Sequence, residues 1–363
     1  MNEFALPLLR STIGVMTVRF ATSDEITQWN DLLIQNPDGG NVFSSKEIAE
    51  TKQQNAWKPR YIMVDTIAVT VLEKSVPLLG KYWYLPKGPG VTTVASLLEL
   101  LPNLQQFGAS QGVFAVKIEP EVPDNDETTA QLLKAGLIKT TPVQPNNSTV
   151  IIDLSPSLDD IMAAFNQKGR HAIHRAERDG VTAKMVELND ANMRTMFDLL
   201  SETAAGRFES SLRSYEYYKG FWQNFAENGH GGLFFAYLDG KVVASAYSMY
   251  LGKKGLYKDG ASVREKTAYG ASHRLQWEII TWMKSHGVES YDLCGAPHSS
   301  RIDDPTHPFH GVGRFKTSFN KHVTDYIGCY DLIVKPSAYK LWQKIGQRLT
   351  ISLTYRIKHR QWF

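Results

Sequence analysis

The stretch that decides the fold runs from Tyr291 to Leu332, YDLCGAPHSSRIDDPTHPFHGVGRFKTSFNKHVTDYIGCYDL. A strand-like YDLCG leads into a polar, Pro-rich loop. The loop ends on Phe315 and Lys316, and a second strand-like run, YIGCYDL, follows. A cation fixed beside aromatic rings at the end of a loop suits a site that handles an anion or a developing oxyanion. The same pattern also describes a surface lysine snorkelling over a packed Phe. YIGCYDL is one more strand in need of a sheet, so the chain after Lys321 is expected to return to an earlier domain.

Outward from this stretch, the two halves of the chain repeat one pattern. In the first half, strand-like residues from Arg60 to Val71 lead to Tyr82–Leu85 and the loop Pro86-Lys87-Gly88-Pro89. In the second, Gly232 to Tyr237, the turn Asp239-Gly240 and Val242 to Leu251 read as a hairpin. A third strand, Gly255 to Lys258, then enters a loop Asp259-Gly260-Ala261-Ser262. A helical pattern follows each loop, Thr93 to Leu101 and Ala271 to His286; the second carries an apolar face of Leu275, Ile279, Ile280 and Met283. Each helix is followed by a strand, Val113 to Ile118 and Ser290 to Cys294. The repeat predicts an α+β chain of two similar domains with mixed β-sheets flanked by helices. PVQPNNS at 142–148 is the expected boundary. It gives a disordered lead over 1–15, a first domain of 16–148 plus 322–363, and a second of 149–321.

With 363 residues, 42% hydrophobic and 21% charged, the chain has room for two domains of ordinary soluble composition. No apolar run reaches the roughly 18 residues of a membrane span. The opening MNEFALPLLRSTIGV is interrupted by Glu3 and Arg10 and lacks a cleavage site, so Met16 is a plausible initiator. Cys294 and Cys329 are the only cysteines, too few for a disulfide scaffold or a Cys-built metal site, and a reducing cytoplasm fits. His298, His307 and His310 lie near Asp303 and Asp304 in a spacing that matches no zinc pattern, so no metal and no cofactor is expected.

The net charge of +3 is unevenly spread. From Leu332 to Phe363 there are Lys335, Lys340, Lys344, Arg348, Arg356, Lys358 and Arg360 and no acidic residue. Interleaved with Tyr339, Trp342, Tyr355 and Trp362, they suit RNA, the anionic face of a membrane, or a solvated amphipathic helix. A second basic element begins at Ser157, a helix cap, and is expected to run from Leu158 to Arg178 and stop at Gly180. Ile161, Phe165, Ala172 and Ala176 line one face; Lys168, His171, Arg175 and Arg178 line another. Gly169 costs about 1 kcal/mol against Ala inside a helix, which predicts a kink or break there.

The chain has no P-loop or GxGxxG, which counts against P-loop NTPases and dinucleotide binding. Arg264 to Ala271 (REKTAYGA) sits where an acetyltransferase-like fold places its pyrophosphate loop, but Gly270 is its single glycine. Coenzyme A chemistry is therefore poorly supported.

Read together, FSSKEIAETKQQNAWKP, YLPKGPG, VKIEPE, NQKGRHAIHRAERDGV, ETAAGRF with RSYEYY, LYKDGAS, YDLCGAP and GRFKTSFNKHVTDYIGCYDL resemble the FemABX family of peptidoglycan-bridge aminoacyltransferases. The order and spacing of these pieces, from Asn41 to Leu332, carry the resemblance. It implies two acetyltransferase-like (GNAT-type) domains that move an amino acid from aminoacyl-tRNA to the side-chain amine of a stem peptide. The precursor would be UDP-MurNAc-pentapeptide or lipid II. No heptad pattern for a long helical arm is present, which points to the armless, FemX-like kind using a soluble UDP-linked precursor.

The resemblance assigns Phe315 and Lys316 to the reacting ester, where a placed cation is worth roughly 3–4 kcal/mol. It assigns Lys52 and either Arg207 or Arg213, the latter with Tyr217, to the diphosphate; Arg suits bidentate phosphate contacts. Tyr84 and Tyr257, read as the ends of corresponding strands, would line the peptide groove or be buried with satisfied hydroxyls. Asp259 or Asp292 could serve as the general base. A cytoplasmic monomer with possible peripheral membrane contact follows. A CoA-dependent N-acyltransferase on the same fold, and a non-catalytic protein binding RNA or an envelope precursor, are the alternatives.

Overall fold

In a computed structural model of the chain, residues 16–205, 212–263, 268–350 and 362 are described. The N-terminal lead, Arg207, residues 264–267 of REKTAYGA, and Tyr355, Arg356, Lys358 and Arg360 of the basic tail lie outside them.

The first half contributes β1 (Val18–Phe20), α1 (Ser23–Thr27), α2 (Trp29–Ile34), α3 (Lys46–Gln53), β2 (Lys58–Val64), β3 (Ile67–Val76) and β4 (Gly80–Leu85). It continues through α4 (Val94–Ser110), β5 (Val113–Ile118), α5 (Asp126–Lys134) and β6 (Ile138–Thr140). The second half holds β7 (Ser148–Asp153), α6 (Leu158–Ala164), α7 (Gln167–Arg178), β8 (Thr182–Val186), α8 (Asp190–Ala204) and α9 (Tyr215–Glu227). After these come β9 (Gly231–Leu238), β10 (Lys241–Leu251), β11 (Lys254–Ser262), α10 (Ala271–Ser285), β12 (Ser290–Gly295), α11 (His310–Lys316), β13 (Thr324–Asp325), β14 (Cys329–Ile333) and α12 (Pro336–Leu341).

These strands form two seven-stranded sheets, ordered β1-β2-β3-β4-β5-β14-β6 and β13-β7-β12-β11-β10-β9-β8. Each sheet contains one parallel pair, β4 with β5 and β11 with β12, joined by a helical crossover of the kind that parallel strands require. The result is the expected α+β arrangement of two mixed sheets flanked by helices. β3 (IAVTVLEKSV) and β10 (KVVASAYSMYL) are buried along most of their length, as central strands rich in β-branched and aromatic residues are.

α7 and α10 cover one face of the second sheet, where Ile173, Ala176, Leu275, Ile279 and Met283 pack on Val150, Ala244, Ala246 and Leu293. Its other face is shared: Trp222, Phe225, Phe235 and Tyr247 pack with Trp29, Phe43, Ile48 and Met63 of the first half. One apolar core therefore joins the two sheets and brings α3 against α9, where Asn224 donates to the Glu47 carbonyl at 3.0 Å.

Several expectations need correction. The 158–178 segment is two helices, and the break lies at Phe165-Asn166 rather than at Gly169. Asn166 caps α7 by accepting from the Gly169 N–H at 2.9 Å. Gly169 has a different purpose: a Cβ there would stand 2.4 Å from the Ser318 carbonyl oxygen, so the glycine lets α7 touch the backbone just beyond α11. Asp259-Gly260-Ala261-Ser262 is strand, not loop, because β11 stays paired with β10 to its end. The first crossover helix runs on to Ser110, past Pro102. Thr324-Asp325 still pairs with β7 in the second sheet, and the chain enters the first only at β14, between β5 and β6. In the tail, Tyr339, Trp342 and Trp362 are buried against Tyr82, Phe114 and Trp57. Core packing, rather than contact with RNA bases, occupies these three rings.

Candidate functional site

The two parallel pairs differ in a way that creates the site. β4 and β5 stay paired from Lys81 with Val113 to Leu85 with Ile118. β11 and β12 pair at Lys254–Leu256 with Ser290–Asp292 and then part. The V so opened is a cavity of about 620 Å³. Tyr257, Lys258 and Gly260 of β11 form one wall; Cys294 and Gly295 of β12, Gln276 of α10, and Phe315 and Lys316 of α11 form others.

Lys316 is the last residue of α11 and is 6% exposed. A snorkelling surface lysine is thereby excluded. Its ammonium donates to the Gly295 carbonyl at 2.6 Å, which leaves two of its three protons for a ligand. Burial pushes its pKa down, and Cys294 and Asp292 pull the other way. Phe315 packs edge-on to His273 at 4.8 Å and to Phe319 at 5.4 Å, and burial holds the His273 imidazole down at about 4. A neutral aromatic shelf thus supports the cation.

Neither candidate base has the surroundings of a proton acceptor. Asp292 accepts from Asn146 at 2.9 Å, from the Cys294 N–H at 2.6 Å and from the Thr149 hydroxyl. Burial raises its pKa, but these donors tie it to the strand end, where Cys294 sits at φ +66°. It holds the turn that presents Gly295 to Lys316. Asp259 accepts from Lys258 at 3.0 Å and from the Trp222 indole at 3.1 Å.

Lys258 is the residue that reading the sequence passed over, although it lies in the quoted LYKDGAS. The β10–β11 register shifts between Tyr247 and Ser248, which pair with Asp259 and Tyr257, so Lys258 is the extra residue of a bulge. Bulges re-aim side chains, and this one turns an ammonium to the cavity wall. Asp259 raises its pKa despite burial. Tyr257 stands in mid-strand rather than at a strand end. It lines the cavity, is bonded to Gln276, and rests its hydroxyl where a Gly260 Cβ would be.

Beside the cavity lies a second cationic centre. The Lys52 pKa is pushed down to about 7, first by burial and then by Arg213, Lys258 and Lys74. Arg213 sits 4.6 Å from the Tyr217 ring centre, Tyr217 stacks on Phe221 at 6.5 Å, and Lys258 lies 5.2 Å from Phe221. One aromatic column on α9 therefore joins the two centres. Such crowding of like charge is costly without an anion, and it is what a diphosphate site needs.

Tyr84 does not join them. It is 1% exposed, donates to Glu119 at 2.7 Å and accepts from Gln144 at 3.0 Å. Lys168, His171, Arg175 and Arg178 are all exposed along α7, whose first turn meets the segment after Lys316: Asn166 donates to the Thr317 carbonyl at 2.9 Å.

Residues 163–304 match the family model described as an acetyltransferase (GNAT) domain. The lipid II:glycine glycyltransferase of Staphylococcus aureus is 21% identical over 92% of this chain and 98% of its own length. That alignment spans 421 positions against 363 residues here, so the relative carries insertions that this chain lacks. The crystal structure of FemX superposes with a TM-score of 0.75 at 19% identity, covering 91% of this chain and all of that one. A conserved protein of unknown function from Bacteroides thetaiotaomicron reaches a TM-score of 0.55 at 12% identity, covering 87% and 98%. With near full-length similarity in sequence to that glycyltransferase and in fold to FemX, the chain has a FemX-like fold of two mixed sheets flanked by helices.

Proposed function

We propose that this chain is an aminoacyltransferase that moves an amino acid from aminoacyl-tRNA to the side-chain amine of a peptidoglycan precursor's stem peptide. The observation that carries the reading is Lys316. It is a buried ammonium with two spare protons in an open V, next to a crowded cationic centre at Lys52 and Arg213. The name of the Staphylococcus aureus relative, a lipid II:glycine glycyltransferase, supports lipid II as the acceptor.

In this reading Lys52 and Arg213, with Tyr217, hold the diphosphate of the acceptor. Lys258 and Tyr257 guide its peptide along the V. The amine attacks the ester carbonyl, a carbon–nitrogen bond forms, and the tRNA ribose oxygen leaves with the proton that the amine sheds. Lys316 offsets the charge on the tetrahedral oxygen as it develops. The basic face of α7 takes the phosphates of the tRNA acceptor end. With Asp259 and Asp292 both engaged, the proton passes to a group on tRNA or substrate, and positioning supplies much of the rate. The protein acts as a cytoplasmic monomer.

CoA-dependent acylation fits less well. Gly270, which caps α10 at φ +77°, is pressed on α7: a Cβ there would lie 2.2 Å from the Ala172 carbonyl oxygen. A carbonyl beside this helix start has the wrong sign for a pyrophosphate. Incubation with a mixture of charged tRNAs and UDP-muramyl pentapeptide tests the proposal. A product heavier by one aminoacyl residue is expected; saturable acetyl-CoA binding with no such product would overturn it.

A further inference from the structure

The C-terminal helical segment has a face that the transfer reaction does not use. Leu341, Ile345 and Leu349 recur every four residues and are 48%, 52% and 53% exposed. Lys340, Lys344 and Arg348, spaced alike and exposed, flank them. The opposite face, with Tyr339 and Trp342, is buried in the first domain, so this orientation is fixed. A second element adds to the apolar stripe. Leu78, at the tip of the β3–β4 turn, is 103% exposed and held at φ +66°, a conformation unfavourable for a leucine. The turn abuts the helical segment, since a Leu79 methyl stands 3.4 Å from where a Gly346 Cβ would be. A fully exposed leucine on a strained turn, beside an exposed Leu/Ile stripe, gains nothing in water.

We propose that Leu78, Leu341, Ile345 and Leu349 form a docking surface for an anionic lipid bilayer, with Lys340, Lys344 and Arg348 meeting its headgroups. Charge complementarity selects this occupant. The chain from Leu332 to Phe363 contains no acidic residue, which is the composition of a face drawn to a negatively charged leaflet. Large aliphatic side chains among cations enter the headgroup–acyl boundary, whereas nucleic acid offers them no apolar partner. Among the described residues no helix is long and apolar enough to span, so the contact is peripheral. The inference stands apart from the proposed reaction. If both hold, the enzyme meets its acceptor at the membrane, contrary to the soluble precursor expected from the sequence.

The test is sedimentation of the full chain with vesicles, one set of phosphatidylcholine alone and one with about one-third phosphatidylglycerol. Wild type is expected to pellet with the second set and to be released by salt. Ile345→Ser alone should weaken binding about tenfold, and the set Leu78→Ser, Leu341→Ser, Ile345→Ser, Leu349→Ser at least about 100-fold, with Tm unchanged. Each of Lys340→Gln, Lys344→Gln and Arg348→Gln should cost about fivefold at low salt. Equal pelleting with both vesicle sets, or none, overturns the proposal. So does apolar-set binding equal to wild type. Loss of tRNA binding in the apolar set would also overturn it, since the face would then serve nucleic acid.

Discussion

The Lys316 ammonium donates to the Gly295 carbonyl at 2.6 Å, at the end of the strand that has parted from β11. The parting makes room for the lysine, and the lysine lines the opening. Because Gly295 is held by the Asp292 turn and Phe315 by His273 and Phe319, the cation is fixed before any substrate arrives. Preorganisation of this kind is what lets a charge stabilise a transition state more than a ground state.

Asp292 separates a structural from a chemical role. Asp292→Asn presents an amide to groups that now donate to a carboxylate, at a cost of about 1–3 kcal/mol of stability. We expect a lower Tm and a fall in kcat of no more than about tenfold, with the pH–rate profile unchanged in shape. Loss of the acidic limb of that profile would instead make Asp292 the base.

Lys258→Met removes the cation that joins the two charged centres while keeping the length of the side chain. The acceptor KM should rise about tenfold, in the range of a charged hydrogen bond lost, with kcat less affected. A kinetic assay varying acceptor at saturating aminoacyl-tRNA reads the split.

The depressed pKa of Lys52, about 7, predicts how affinity depends on pH. A bound diphosphate favours the charged lysine and raises its pKa, so binding takes up a proton above pH 7. Affinity should be greatest below pH 7 and fall by up to tenfold per unit above it. Calorimetry in buffers of different ionisation enthalpy reads the proton uptake. Lys52→Gln should bind weakly and lose that dependence.

Gly169→Ala gains helix propensity of about 1 kcal/mol but drives a methyl against the Ser318 carbonyl. The net is a loss of about 1–2 kcal/mol, read as a lower Tm. Since the clash lies two residues from Lys316, transfer should fall further than stability alone explains. Transfer assayed well below the Tm separates the two effects.

Much of the fold is visible in the sequence because it is periodic. The strand–strand–loop–helix–strand order repeats, and YIGCYDL, too apolar to stand alone, finds the first sheet as β14. Lys316 stands out for its neighbours in the chain. What stayed hidden depends on partners far away in sequence. Asp259–Ser262 reads as a loop because its glycine and polar residues suit one, yet pairing with β10 makes it a strand. Lys258 becomes a wall of the site through a bulge, which exists only once the register is known. Tyr84 and Tyr257 look equivalent, but one V is closed and the other open. Gly169 reads as a weak point in a helix and is a close approach to a backbone that lies 149 positions on at Ser318.

The measurement that tests the central claim most directly is the mass of the acceptor after incubation with charged tRNAs, for wild type and Lys316→Met side by side. Wild type should add one aminoacyl residue. Lys316→Met should keep its circular dichroism and its acceptor binding but lose roughly 100- to 1,000-fold in kcat. A variant that folds and transfers at the wild-type rate would contradict the role given to Lys316.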